Sequence, residues 1–196
     1  MHKVSIILTN ACISQKWIAE DRKEWCIYAI ETKMQAISLF TLLTIISLAL
    51  DVFLETFTYS WVLYILRRKI GGWHAPTAWL CQIISISMVL STVFFIGPLF
   101  EMLPFPVIWI LDGLAFLIAL LQKPVYPPQT HFSNVITLAN HRRKNLFLAC
   151  IFLTQVFSAK VCAEVTIYSM LAIYTGILSV LIEISQQYLQ GKERSL

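Results

Sequence analysis

Long uncharged apolar runs, broken by short basic clusters, leave this chain few folds to adopt. Residues 40–50 and 83–96 carry no charge, while lysines and arginines gather at 3–33, 67–69, 123, 142–144, 160, 192 and 194. In a hydrocarbon layer every backbone N–H and C=O must be bonded inside the protein, which helices achieve. Of the 196 residues, 58% are hydrophobic and 13% charged, a balance that excludes an ordinary soluble domain.

Placing every major basic cluster on one face of the bilayer requires six spans, near residues 34–50, 53–66, 77–96, 107–121, 146–157 and 165–185. Both termini then lie in the cytoplasm, with fourteen of the fifteen basic residues inside and Lys160 outside beside Glu164. The first two spans are short, and no Gly or Pro marks a turn at 51–55. One tilted helix over 34–66 is the competing arrangement, but it would put the N-terminal cluster opposite Arg67–Lys69. Residues 1–33 do not read as a cleavable secretory signal. Trp17, Ile18, Trp25, Ile27 and Tyr28 interleave with charges there, as in an amphipathic helix lying in the interface. The expected fold is therefore all-α: an N-terminal amphipathic segment, 1–33, and a polytopic membrane domain of about six transmembrane helices, 34–196. Residues 122–145, from Lys123, Pro124, Pro127 and Pro128 to the run His141, Arg142, Arg143, Lys144, form the longest polar stretch and read as a cytoplasmic loop.

Five cysteines, Cys12, Cys26, Cys81, Cys150 and Cys162, leave at least one free thiol and lack the close pairs of a zinc or disulfide scaffold. The segment Arg67-Arg68-Lys69-Ile70-Gly71-Gly72-Trp73-His74-Ala75-Pro76 leads into the third span, where Cys81 follows. Proline is favoured at the first helical position, so Pro76 is expected to open the helix and leave His74 in the loop before it. In a continuous helix His74 and Cys81 would stand about 10.5 Å apart along the axis, too far for contact. A loop that folds back can join them, and Gly71 and Gly72 supply the backbone freedom. A thiol near pKa 8.5 needs an imidazole or a helix N-terminus to become a good nucleophile, and Cys81 is placed to have both. At the expected depth the imidazole carries the larger share. Taken alone, the pair also fits a buried structural cysteine and an interfacial histidine.

The string 67–81, with Gly-Gly-x-His-Ala and a cysteine seven residues after the histidine, resembles the accessory gene regulator B (AgrB) family of bacterial quorum-sensing peptidases. An amphipathic N-terminus, a multi-span body and a Pro-x-x-Pro loop leading to Arg142–Lys144 extend the likeness. The resemblance implies a membrane cysteine endopeptidase of the bacterial cell membrane that needs no cofactor. His74 and Cys81 would be its catalytic pair, with Arg67, Arg68, Gly71 and Gly72 supporting the site or substrate. Its partner would be a small propeptide with an amphipathic leader and an acidic tail. Cys81 would remove the tail through a thioester, allowing a cyclic thiolactone or lactone to form.

Arg142, Arg143 and Lys144 have two readings, as anchors on an anionic leaflet or as a clamp for the acidic tail. Membrane lipids are expected partners, a homodimer is compatible with the pattern, and nothing points to nucleic acid. Asp112 and Glu183, costly within spans, are expected to face the bundle interior or lie near an end. A metal site using His74, Cys81 and His131 or His141 fits no established ligand spacing. The rival functions are a small polytopic transporter and a non-catalytic membrane scaffold.

Overall fold

The computed structural model describes residues 2–73, 75, 77–125, 134–158 and 163–193. His74, Pro76, Pro127, Pro128, His131, Lys160 and Cys162, to which the sequence assigns roles, lie outside them. Among the described residues the chain is helical without strands: α1 (His2–Ser14), α2 (Lys23–Ala49), α3 (Phe53–Ile70), α4 (Ala78–Ser91), α5 (Gly97–Glu101), α6 (Phe105–Leu121), α7 (Asn134–Ser158) and α8 (Ala163–Glu193). A short 3-10 turn, Glu20–Arg22, precedes α2, and a π-helical turn, Thr92–Ile96, joins α4 to α5. Glu20–Ala49, Trp79–Glu101 and Ala163–Leu189 are long and apolar enough to cross a bilayer, and Phe105–Leu121 is apolar but shorter. The protein is an all-α membrane protein.

The chain forms two compact units, Met1–Ala49 and Leu50–Leu196. In the first, α1 turns its polar face to α2. Ser5 and Thr9 are buried, the Ser5 hydroxyl donates to Glu31 Oε1 at 3.0 Å, and Val4, Ile7 and Leu8 remain exposed. Such an outward apolar stripe suits a helix immersed at a membrane boundary. α2 runs without interruption from Lys23 to Ala49, so residue 33 falls inside it. α2 ends at Ala49 and α3 begins at Phe53, with Asp51 at φ 55° between them. Aspartate tolerates the left-handed region better than most residues, which is how this chain breaks without Gly or Pro.

The second unit is built around α8. Residues 166–173 are buried without interruption, so this part of the helix is surrounded by protein on all sides, with Thr166 and Ser169 among its otherwise mostly apolar residues. α3 lies closest, since a Cβ on Gly176 would come within 2.9 Å of Leu66 Cδ2. A small residue at that crossing lets the two backbones approach, the usual source of helix association in lipid. Polar ties fix the packing: Tyr59 donates to Thr175 Oγ1 at 2.9 Å, and Tyr174 to the Leu111 carbonyl at 2.8 Å. Asp112 faces the interior as expected, accepting from Gln155 Nε2 at 3.2 Å, and that amide also donates to Ser169 Oγ at 2.7 Å. Glu183 is buried and accepts from Gln187 one turn further on.

Candidate functional site

The segment between α3 and α4 is held by backbone bonds from two directions. α3 stops at Gly71, whose φ of 76° and ψ of −137° lie outside the range open to most side chains. Gly72 follows at φ 117°. The turn brings the chain beside the segment leaving α6, where Val125 N–H donates to the Ile70 carbonyl at 2.8 Å. Gly72 N–H returns a bond to the Val125 carbonyl at 3.1 Å, completing a parallel bridge between Gly71 and Val125. Trp73 N–H is then shared between the carbonyl and the hydroxyl of Ser179 on α8, each at 3.1 Å. Gly72 passes so close to α8 that a Cβ there would stand 2.6 Å from Ser179 Oγ. These two glycines are therefore required by conformation and by space.

Arg67 approaches from the last turn of α3. Its Nη2 donates to the Trp73 carbonyl, tying the far side of the turn to the helix that precedes it. The side chain is half-buried, and burial lowers its pKa, opposed by Cys81 and Tyr59 within electrostatic reach. Guanidinium stays charged under such pressure, so a fixed positive charge stands near the Cys81 thiol.

α4 begins later than the proline suggested. Thr77 is its N-cap, with Oγ1 accepting from Leu80 N–H at 3.3 Å, and Ala78 is the first helical residue. A threonine hydroxyl can satisfy a free N–H of the first turn and proline cannot, so the hydroxyl sets the start. Cys81 consequently sits at the end of the first turn, its N–H bonded to the Thr77 carbonyl at 3.0 Å. That is closer to the positive end of the helix than expected. Cys81 is partly exposed and unpaired; Cys12, Cys26 and Cys150 are free thiols too.

The remaining basic residues fall into two environments. Arg68, Arg142, Arg143 and Lys123 are exposed. The half-buried Lys69 has a lowered pKa, through burial first and then the charges of Arg143 and Arg68, so the end of α3 and the first half of α7 present one positive patch. His141 is also lowered, by burial and then by Lys144 and Lys123. Lys144 is fully buried. Among the described residues no cluster of His, Cys, Asp and Glu could hold a metal.

A family model described as accessory gene regulator B matches residues 5–186. The chain belongs to the accessory gene regulator B family. Members of this family take part in quorum-sensing peptide processing. Protein FsrB of Enterococcus faecalis (strain ATCC 47077 / OG1RF) is 27% identical over 169 residues, covering 84% of this chain and 68% of that protein. No solved structure matches the chain. Sequence reasoning missed three supports of this family member's loop: Val125, Ser179 and the Thr77 cap. A threonine just before an apolar helix was a readable cap signal, whereas Val125 and Ser179 carry no local signal, being distant in sequence and acting mainly through their backbones.

Proposed function

We propose that this protein is a membrane cysteine endopeptidase that cuts a small quorum-sensing propeptide, with Cys81 as nucleophile and His74 as base. The observation carrying the reading is a partly exposed thiol in the first turn of a helix, near a half-buried arginine and a braced Gly-Gly turn, in a chain of this family. The charge of Arg67 and the N-terminus of α4 both lie near the Cys81 thiol, and the braced turn holds the segment that leads into it.

In the first step Cys81 Sγ attacks the carbonyl between the peptide core and its tail. The C–N bond breaks, a C–S thioester forms, and the proton accepted by His74 passes to the departing amine. In the second step a core thiol or hydroxyl adds to the thioester. Cys81 leaves as thiolate and is reprotonated, and the ring closes as a thiolactone or lactone. One acyl bond replaces another, so the sequence requires no outside oxidant or reductant and no cofactor. The acidic tail would meet the patch of Arg68, Arg142 and Arg143, with the basic clusters and both termini on the cytoplasmic side of a bacterial cell membrane.

Co-expression of the cognate precursor with Cys81→Ala tests the reading directly. Uncut precursor and no covalent intermediate are expected, with insertion unchanged. Cys81→Ser should lose nearly all cutting, because an imidazole activates a hydroxyl far less well. Release of the tail by membrane-inserted Cys81→Ala would refute the assignment.

A further inference from the structure

Lys144 stands in a sequence of exposed basic residues but does not share their environment. Its Nζ donates to the carbonyls of Ala119 at 2.6 Å, Leu120 at 3.2 Å and Gln122 at 2.6 Å. An ammonium has three N–H groups, and three carbonyls take them. No donor is left for a carboxylate of a peptide tail or for a lipid phosphate, and the side chain is fully buried. The clamp and anchor readings of the basic run thus apply to Arg142 and Arg143.

The carbonyls that Lys144 binds belong to the end of α6 and its first residue beyond, where a helix leaves its last C=O groups without internal partners. A cation there is favoured by the helix dipole as well as by the bonds themselves. The chain leaving that point reaches Val125 three residues after Gln122, and Val125 exchanges both backbone bonds with Ile70 and Gly72. A continuous set of contacts therefore runs from Lys144 through Gln122 and Val125 to the Gly-Gly turn. Burial lowers the Lys144 ammonium to about 8, a cost accepted at a position where an uncharged side chain would leave the carbonyls unbonded.

We propose that Lys144 is a positioning residue for the peptidase site, fixing the α6 exit segment so that Val125 holds the Gly71–Gly72 turn in register with Cys81. This rests on the peptidase reading above. Lys144 acts on geometry, so its loss lowers turnover and leaves precursor affinity nearly unchanged.

The test compares Lys144→Met, which fills the space without donors, with Lys144→Arg, which keeps donors and charge, and with the double substitution Arg142→Gln/Arg143→Gln. Each is assayed on an acidic-tailed and a neutral-tailed precursor. Lys144→Met should lower kcat roughly 10- to 100-fold for both precursors, the size expected when a reacting pair is misplaced by about 1 Å, with KM within about twofold. Lys144→Arg should recover most of that loss. The arginine pair should instead raise KM for the acidic-tailed precursor. A second readout needs no activity: with the native cysteines removed, Val125→Cys should react with a maleimide several times faster when Lys144→Met is also present. Cutting by Lys144→Met at the wild-type rate, or a KM increase confined to the acidic tail, overturns the proposal. Unchanged Val125→Cys labelling does the same. If Cys81→Ala still cuts, the peptidase reading fails separately, and the labelling continues to report on the bracing.

Discussion

Gly72→Ala is the substitution whose cost the structure lets us work out most fully. At φ 117° an L side chain is strained whatever the surroundings, at a cost on the order of 1–3 kcal/mol. The new methyl would also meet Ser179 Oγ at 2.6 Å. That hydroxyl can rotate away, but it then gives up its share of the Trp73 N–H, a loss of about 0.5–1 kcal/mol because the Ser179 carbonyl keeps the other share. The sum, about 1.5–4 kcal/mol, lowers the population of the native turn by roughly 10- to 1,000-fold relative to relaxed alternatives. Precursor cutting per inserted molecule should fall by a similar factor, while the melting temperature of the purified protein moves much less, because the strain relaxes locally. Adding Ser179→Ala separates the two contributions. Measured against Ser179→Ala alone, which already lacks the hydroxyl's bond and offers no collision, Gly72→Ala should cost the backbone strain only, so its effect should shrink by about 0.5–1 kcal/mol, or at most some fivefold in cutting. Wild-type cutting by Gly72→Ala, or full recovery in the double variant, would refute the argument from φ.

Thr77→Ala removes the N-cap of α4 and should cost about 0.5–2 kcal/mol locally, read as a several-fold slower alkylation of Cys81 at neutral pH as the helix start frays, with Thr77→Ser retaining the wild-type rate. Cysteine-accessibility labelling should place residues 67–69 and 142–143 on one side of the membrane and residues 102–105 on the other; opposite sides for Lys69 and Arg142 would overturn the six-span topology.

How much of this was legible in the sequence depended on whether the signal was local. The helical membrane fold followed from apolar runs and basic punctuation, and the Gly-Gly turn ahead of Cys81 followed from residue chemistry within one short window. The start of α4 was misjudged by two residues because Pro76 and Thr77 both mark helix starts, and the threonine that bonds Leu80 N–H decides between them. The break at Asp51 was hard to read because aspartate enters the left-handed region less often than glycine. Lys144 could not be told from its neighbours: a charge bound to carbonyls and a charge in solvent look alike in a string of letters. Ser179 and Val125 reach the turn from elements more than fifty residues away, and nothing in their own neighbourhoods announces a partner.

The π-helical turn at Thr92–Ile96 has a consequence for how this span tolerates change in length. A π turn is an α-helix holding one residue more than its pitch allows, so the chain beyond it is rotated by about 100° from the path a regular helix would follow. Gly97 is the residue that this rotation delivers to Tyr168, where no Cβ would fit. Removing one residue between 92 and 96 would restore a regular helix and leave Gly97 against the tyrosine ring, whereas straightening the turn with all its residues kept would swing a different side chain there. The surplus residue thus works as a phase offset: upstream of it the register answers to Thr77 and Cys81, downstream to α8, and a single-residue deletion that the turn can absorb would set one half of the span against the other anywhere else in it.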